Sequence, residues 1–310
     1  MTQRKTIVTG GCGFIGSHLV DALIHRGDAV TVIDWVEPLA DRKNEAATYV
    51  LCDIRDRQLE DRIAAIAPQS VFHLAAHIDD RASVLDPMMN AEHNELGSIN
   101  VFESAKRAGA TSIIFASSCA VYGLQESVPM MESMRPQPQT PYGISKFAAE
   151  TYLSAYTTQH GMHTVSLRFG NVYGPRQYGN KESGAIAIFT EKLLKNESPF
   201  LNGDGSTTRD YVFVLDVVAA LIAAESGTQS GVYNVGTGKE VSTLELFTMI
   251  AKEIGTDRAA TPRPEVTDAV KRMSLDTSAI AKAMFWKSGV DLEEGIRETI
   301  AWYREHVRGM

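Results

Sequence analysis

Lys5-Thr-Ile-Val-Thr-Gly-Gly-Cys-Gly-Phe-Ile-Gly16, residues 5–16, decides the fold. Its first five residues are a short β-branched run. The glycines follow at once, and then a helical pattern, Leu19, Val20, Leu23 and Ile24, which stops at Gly27. The order is strand, glycine loop, helix. Gly10 permits the tight turn, Gly13 lets a pyrophosphate approach the backbone, and Gly16 lets the helix pack close to the strand. The helix start offers that anion its free N–H groups.

Working outward, the next strand runs Ala29-Val-Thr-Val-Ile-Asp34 and ends in an acid. A carboxylate there accepts hydrogen bonds from a ribose diol and repels a 2′-phosphate, so NAD is expected over NADP. Residues 48–52 form another short strand, followed by Asp53 and Ile54. Residues 70–76 read as a buried strand whose small end, Leu74-Ala75-Ala76, suits close contact with a cofactor. His73 lies inside that apolar run and is expected to be a core histidine. From Met88 to Ala108 the pattern is helical, with Asn94 and Gly97 embedded in it, and strand 112–117 ends at Ser118. Strands and helices alternating at this spacing predict an α/β fold, a Rossmann doubly wound parallel sheet with the ligand at the carboxyl ends of the strands. Ser118 stands at such an end, where a hydroxyl can donate to a substrate oxygen while accepting from a tyrosine.

A second stretch carries the chemistry. Thr140-Pro-Tyr-Gly-Ile-Ser-Lys146 begins a helix, because Pro141 pre-sets φ and an amphipathic run follows. Tyr142 and Lys146 then lie one turn apart on one face. Such pairs are common on solvated helix faces; here the pair follows a dinucleotide loop and a strand-end serine. A tyrosine ordinarily ionises near ~10, and a fixed ammonium one turn away is expected to lower that value.

The chain has 310 residues, 44% hydrophobic and 22% charged, with net charge −8 and no basic block. That composition belongs to an ordinary globular protein and argues against nucleic-acid or anionic-lipid partners. The N-terminal apolar run is too short for a signal peptide, and no stretch is long enough to span a bilayer. Cys12, Cys52 and Cys119 are odd in number and widely spaced, so neither a disulfide framework nor a metal site is expected, and a cytoplasmic location fits.

TGGCGFIG (9–16), SSCAVYG (117–123), YGISK (142–146), RFGNVYGPRQ (168–177) and GDGSTTRDYVFVLDV (203–217) together resemble the extended short-chain dehydrogenase/reductase family, in its branch of nucleotide-sugar 4-epimerases of the UDP-glucose 4-epimerase type. The similarity spans almost the whole chain. It implies Ser118, Tyr142 and Lys146 as catalytic residues: Tyr142 the base, Lys146 holding the nicotinamide ribose, Ser118 orienting the sugar hydroxyl. It implies a cofactor site for NAD lined by Gly10, Gly13, Phe14, Ile15, Gly16, Asp34, Asp53, Ile54, Leu74, Ala75, Ala76 and Asn94, with Tyr142 and Lys146. Asn171, Arg209 and Arg263, with Ser118, would meet a nucleotide sugar, expected to be a UDP-hexose. No metal is implied.

The resemblance also divides the chain into an NAD-binding domain, 1–172, and a smaller C-terminal substrate domain, 173–310, with 206–238 partly returning to the sheet. Relatives dimerise through two helices per subunit, here 94–108 and 144–159, so a homodimer is expected. Dehydratase and decarboxylase branches carry an acidic residue where this chain has Cys119-Ala120, which weighs against both. A reductase, a uronate epimerase and a non-catalytic NAD-binding regulator are further alternatives; the intact Ser118, Tyr142 and Lys146 set speaks against the last. Asp79-Asp80 forms either an acidic rim that repels uronates or a solvated loop. Pro262-Arg263-Pro264 and Lys271-Arg272 look like a loop closing over the substrate phosphates.

Overall fold

The computed structural model of the chain describes residues 3–179, 184–264 and 270–306; part of the expected phosphate loop, 265–269, lies outside them. Seven strands form the central sheet: β1 (Lys5–Thr9), β2 (Ala29–Asp34), β3 (Thr48–Leu51), β4 (Ser70–His73), β5 (Ser112–Ser118), β6 (His163–Phe169) and β7 (Gly231–Val235). All pair in parallel, in the order β3-β2-β1-β4-β5-β6-β7. The chain reverses direction across the sheet between β1 and β4. That switch point opens a crevice at the strands' carboxyl ends, where a dinucleotide binds in folds of this type.

Alternation along the strands supplies two faces. Val8, Val32, Phe72, Ile114 and Leu167 point to one face and are covered by helix α1 (Phe14–Arg26) and by the helix Val214–Ser226. Ile7, Ile33, Val71, Ile113 and Phe115 point to the other. There they meet three helices, α2 (Leu59–Ile66), α3 (Gly97–Arg107) and α4 (Pro141–His160). Both faces of a parallel sheet are thereby buried, which is why its strands read as near-continuous apolar runs. A separate core gathers Tyr173, Ile186, Phe189, Leu246, Ile250, Ile296 and Ile300 from the later part of the chain.

Local chemistry sets the helix ends. Gly27 stops α1 in the left-handed region (φ 98°), its N–H bonding back to Leu23 and Ile24 carbonyls. Thr140 caps α4, its hydroxyl accepting from Gly143 N, with Pro141 in the first turn.

Two elements differ from the sequence reading. β4 ends at His73 and β1 at Thr9; Leu74 N still reaches Thr9 O at 3.1 Å, after which β1 offers no further partner and β5 alone continues, to Ser118. The expected helix 88–108 is broken into Pro87–Ala91, a π-helical turn Glu92–Leu96, and α3. Ser98 Oγ bonds back to Asn94 O at 2.5 Å, competing with the helix ladder. No helix among the described residues is long and apolar enough to cross a membrane.

Candidate active site

The glycine loop is built for close approach. Gly10 has φ +72°, and a Cβ there would lie 2.6 Å from Ala75 N. A Cβ on Gly16 would lie 2.3 Å from Gly10 O, so loop and helix touch backbone to backbone. Gly13 is the N-cap of α1 and no side chain caps it, which leaves the first turn's N–H groups to an incoming anion. Phe14 and Ile15 occupy that first turn.

Asp34 stands at the end of β2, next in the sheet. Its Oδ2 accepts from Cys12 N at 3.0 Å, tying the loop to the strand end. Burial pushes its carboxyl up, while backbone hydrogen bonds from Cys12 and Val36 pull the other way. Leu74, Ala75 and Ala76 leave β4 beside the loop, with Ala75 N donating to Thr9 Oγ1 at 3.3 Å. Ile54 is buried against Gly97, whose missing side chain makes room for it. Asp53 is held by Arg55, which donates to it from its backbone and its guanidinium, and this holds the carboxyl below its usual range. Asn94 is buried and braces the crevice wall: Oδ1 accepts from His77 N at 2.8 Å, and Nδ2 donates to His77 O at 2.9 Å and Ser145 Oγ at 3.2 Å. The glycine loop, Asp34, Asp53 and Leu74, Ala75 and Ala76 lie at or just beyond the carboxyl ends of β1, β2, β3 and β4, and their backbone room, free helix N-terminus and terminal carboxylate fit a dinucleotide.

His73 is fully buried between Thr9 Oγ1 (2.7 Å) and Ser98 Oγ (2.9 Å), and burial drives it down to about 3. It is neutral and structural.

The structure brings Ser118, Tyr142 and Lys146 together where α4 crosses the end of β5. Ser118 stands beside Tyr142, close enough for its hydroxyl to favour the phenolate, and its Oγ accepts from Ala120 N at 3.1 Å. Lys146 Nζ donates to Ala116 O at 2.8 Å and sits 5.9 Å from the centre of the Tyr142 ring. The electrostatics depart from expectation. Burial pushes Tyr142 up to about 12, aided by the nearby Cys119 and Asp80, against the lowering effect of the Ser118 hydrogen bond. Burial pushes Lys146 down to about 7. The one-turn spacing led to the expectation of a lowered tyrosine; in the protein alone desolvation outweighs it, so Tyr142 is neutral and Lys146 gives up its proton near neutrality.

The two acids of 77–81 part company. Asp79 caps the helix Asp80–Leu85, accepting from Arg81 N and Ala82 N. Asp80 Oδ1 accepts from Thr140 Oγ1 at 2.5 Å, at the start of α4. Cys119 is neutral, pushed up to about 11 by burial.

On the opposite wall, Arg209 lies in a two-residue strand paired with Val241–Ser242, and its charge reaches Cys119. Buried Asp210 fixes that strand by accepting from Thr237 N and Oγ1, Gly238 N and Leu275 N. Asn171 begins the strand paired with Tyr211–Phe213 and is half-buried. Arg263 is exposed in a separate pair of strands, its guanidinium stacked on Phe200. Arg272 is taken up by Glu240 in a two-pronged pair.

Residue-by-residue reading missed Glu150 and Arg168, which lie behind Lys146. The signal was present: Glu150 continues the four-residue spacing of Tyr142 and Lys146. Among the described residues no cluster of His, Cys, Asp and Glu could hold a metal ion.

The family model of NAD dependent epimerases and dehydratases matches residues 6–236. The UDP-glucose 4-epimerase of Mycolicibacterium smegmatis is 38% identical over 308 residues, covering 97% of this chain and 98% of that protein. The crystal structure of UDP-glucose 4-epimerase with UDP-glucose from Thermotoga maritima matches at TM-score 0.95 and 36% identity, covering 98% and 99% of the two chains. That of the Thermus thermophilus UDP-glucose 4-epimerase complex with NAD matches at TM-score 0.92 and 37% identity, covering 97% and 99%.

Proposed function

This chain belongs to the NAD dependent epimerase/dehydratase family, and from that premise we propose that it is a UDP-hexose 4-epimerase in which Ser118, Tyr142 and Lys146 handle the proton. It is an NAD-dependent isomerase of nucleotide sugars. What supports the finer reading is one observation: the three residues converge at the end of β5, and the positions beside Ser118 are Cys119 and Ala120, where no carboxylate can drive elimination.

Gly10, Gly13, Phe14, Ile15 and Gly16 would hold the pyrophosphate, Asp34 the adenosine ribose, Asp53 and Ile54 the adenine, and Lys146 the nicotinamide ribose. Leu74, Ala75 and Ala76 would line the floor, braced by Asn94. Bound NAD supplies the redox step, taking hydride from a sugar carbon and returning it to the opposite face. Ser118 orients the sugar hydroxyl. Tyr142 accepts its proton and later returns it. Because burial holds Tyr142 near 12 in the protein alone, the phenolate needs Lys146 as an ammonium. Arg209 would offer its guanidinium fork to a diphosphate, with Asn171 and Arg263 as further polar partners from separate strands. The division into an NAD-binding part, 1–172, and a substrate part, 173–310, with 206–238 partly returning to the first, accords with these assignments, and three free cysteines accord with a reducing compartment.

Self-association is part of the proposal. Leu96, Ile144 and Tyr152 are exposed on the turn before α3 and on α4, and Leu85 and Met88, on the short helices that pack against α4, are 86% and 72% exposed. A two-fold pairing of this face would bury it in a homodimer.

The test is incubation with UDP-glucose, UDP-galactose and their N-acetyl counterparts, with products followed by NMR. Interconversion at the 4-position without net absorbance at the reduced-nicotinamide band is expected. An elimination product, or stoichiometric reduced nicotinamide, sinks the epimerase reading.

A further inference from the structure

Tyr142, Lys146 and Glu150 sit one turn apart on α4, and each meets one of three successive residues of β5. Tyr142 stands beside Ser118, whose hydroxyl favours its phenolate. Lys146 Nζ donates to Ala116 O at 2.8 Å. Glu150 Oε1 accepts from Ser117 Oγ at 2.5 Å. Arg168 on β6 then closes on Glu150 from the next strand, with Nε 3.0 and 3.3 Å from the two carboxylate oxygens and Nη2 2.7 Å from Oε2. Ser117 and Arg168 are direct partners in the β5–β6 register. The Arg168 guanidinium lies over the Tyr122 ring, 4.7 Å from its centre. Lys146, Glu150 and Arg168 are each 3% exposed. A buried ion pair of this kind contributes little net stability, so stability alone is a weak reason for it.

We propose that Glu150 is a positioning residue for the proton-handling pair: clamped by Ser117 and Arg168, it fixes the height of α4 against β5 and keeps Lys146 in its ammonium form. The proposal rests on the reading that Lys146 holds the cofactor ribose.

The surroundings agree in sign. Burial drives Lys146 down to about 7, and the Glu150 carboxylate opposes that fall. The other titratable group that faces Lys146 on its own helix is Tyr142, which Cys119 approaches from beyond the end of β5. His73 on β4 is held neutral, and Arg168 on β6 stands behind Glu150. Among the described residues Glu150, one turn along the helix, is the anion whose charge favours the ammonium form of this lysine. The clamp is also tight enough to be specific, because a carboxylate accepting three side-chain donors cannot swing toward or away from Lys146 without breaking them.

NAD binding by calorimetry across about pH 6 to about pH 9 tests it, because Lys146 binds ribose hydroxyls best as an ammonium. In the wild type, affinity falls as Lys146 loses its proton. Glu150→Gln keeps the shape and removes the charge, so the midpoint of that fall moves acidward by about one unit or more, roughly a fivefold or greater loss of affinity at neutral pH. Glu150→Asp restores the midpoint at least in part. Should Glu150→Gln fold poorly with Arg168 left uncompensated, the double variant Glu150→Gln/Arg168→Met replaces the ion pair with neutral side chains of similar size and is expected to fold; its midpoint also moves acidward. Lys146→Met flattens the pH dependence. A midpoint unmoved in the glutamate variants, with only the unfolding temperature lowered, overturns the proposal and leaves Glu150 a structural residue. A pH dependence that survives Lys146→Met overturns the role of Lys146 itself.

Discussion

Gly16→Ala is a one-methyl change whose cost can be worked from the contacts. The new Cβ would stand 2.3 Å from Gly10 O and 2.7 Å from Gly11 Cα, against 3.4 Å or more for ordinary contact. Both obstacles are backbone, so no side chain can rotate away. The N-terminus of α1 must retreat from the loop by about 1 Å, stretching the Gly13 N to Gly10 O bond of 3.1 Å and the Ser17 N to Gly13 O bond of 3.0 Å. Overpacking of this kind costs about 1–3 kcal/mol, offset by roughly 0.5–1 kcal/mol because alanine suits a helix better than glycine. The net loss of stability is about 1–2 kcal/mol, readable by urea denaturation. The larger effect falls on the cofactor. A displacement of about 1 Å in groups that must meet a pyrophosphate costs up to ~10²-fold, so NAD affinity should drop by roughly ten- to a hundredfold in calorimetry. Gly27→Ala is the control. It has φ +98° and nothing within 4 Å of a new Cβ, so it suffers backbone strain alone, about 1 kcal/mol or somewhat more, at the far end of the same helix. Its NAD affinity should stay within about twofold of wild type. If Gly16→Ala binds NAD as tightly as Gly27→Ala does, the pyrophosphate does not lie on this turn and the cradle is misassigned.

Three more outcomes follow from the same geometry. Tyr142→Phe keeps the ring and removes the hydroxyl that meets Ser118, so turnover should fall by about 10²–10⁴ with substrate affinity little changed; turnover within a few-fold of wild type would remove Tyr142 from the chemistry. Lys146 keeps its proton up to ~10.4 when unfolded but only to about 7 when folded, so unfolding takes up a proton between those values and stability rises with pH through that window. Denaturation at about pH 7 and about pH 9 should show the wild type gaining roughly 2 kcal/mol relative to Lys146→Met, and equal slopes would contradict the burial of this lysine. Light scattering at micromolar concentration should give a dimer mass, and Leu96→Glu with Tyr152→Glu should yield monomers; a wild-type monomer would leave the exposed face of α4 without its proposed partner.

Much of the fold was legible because its signals are local. Glycines at 10, 13 and 16 after a β-branched run have few structural uses other than a tight strand-to-helix turn, and Asp34 follows at the end of the next strand. Thr140 and Pro141 announce the start of α4 by capping chemistry that depends on four adjacent residues. The break in 88–108 was not legible. The pattern is helical throughout, and the π turn arises where Ser98 bonds back to Asn94 O and Gly97 makes room for Ile54 from a distant loop. The end of β4 likewise depends on where β1 stops, which residues 70–76 do not contain.

The division at the active site has the same cause. Residue types and four-residue spacing, which a helix converts into a shared face, selected Tyr142 and Lys146, and a strand end selected Ser118. Protonation was beyond the sequence, since spacing reports the nearest charge but not the solvent excluded around it. Only the packed structure shows Lys146 sealed between α4 and β5, Tyr142 driven up to about 12 by burial, and Glu150 held by Ser117 and Arg168 from two neighbouring strands. Periodicity and capping act over a few residues and are written in the chain; desolvation depends on everything within reach of a buried group, and that is decided only when distant segments pack.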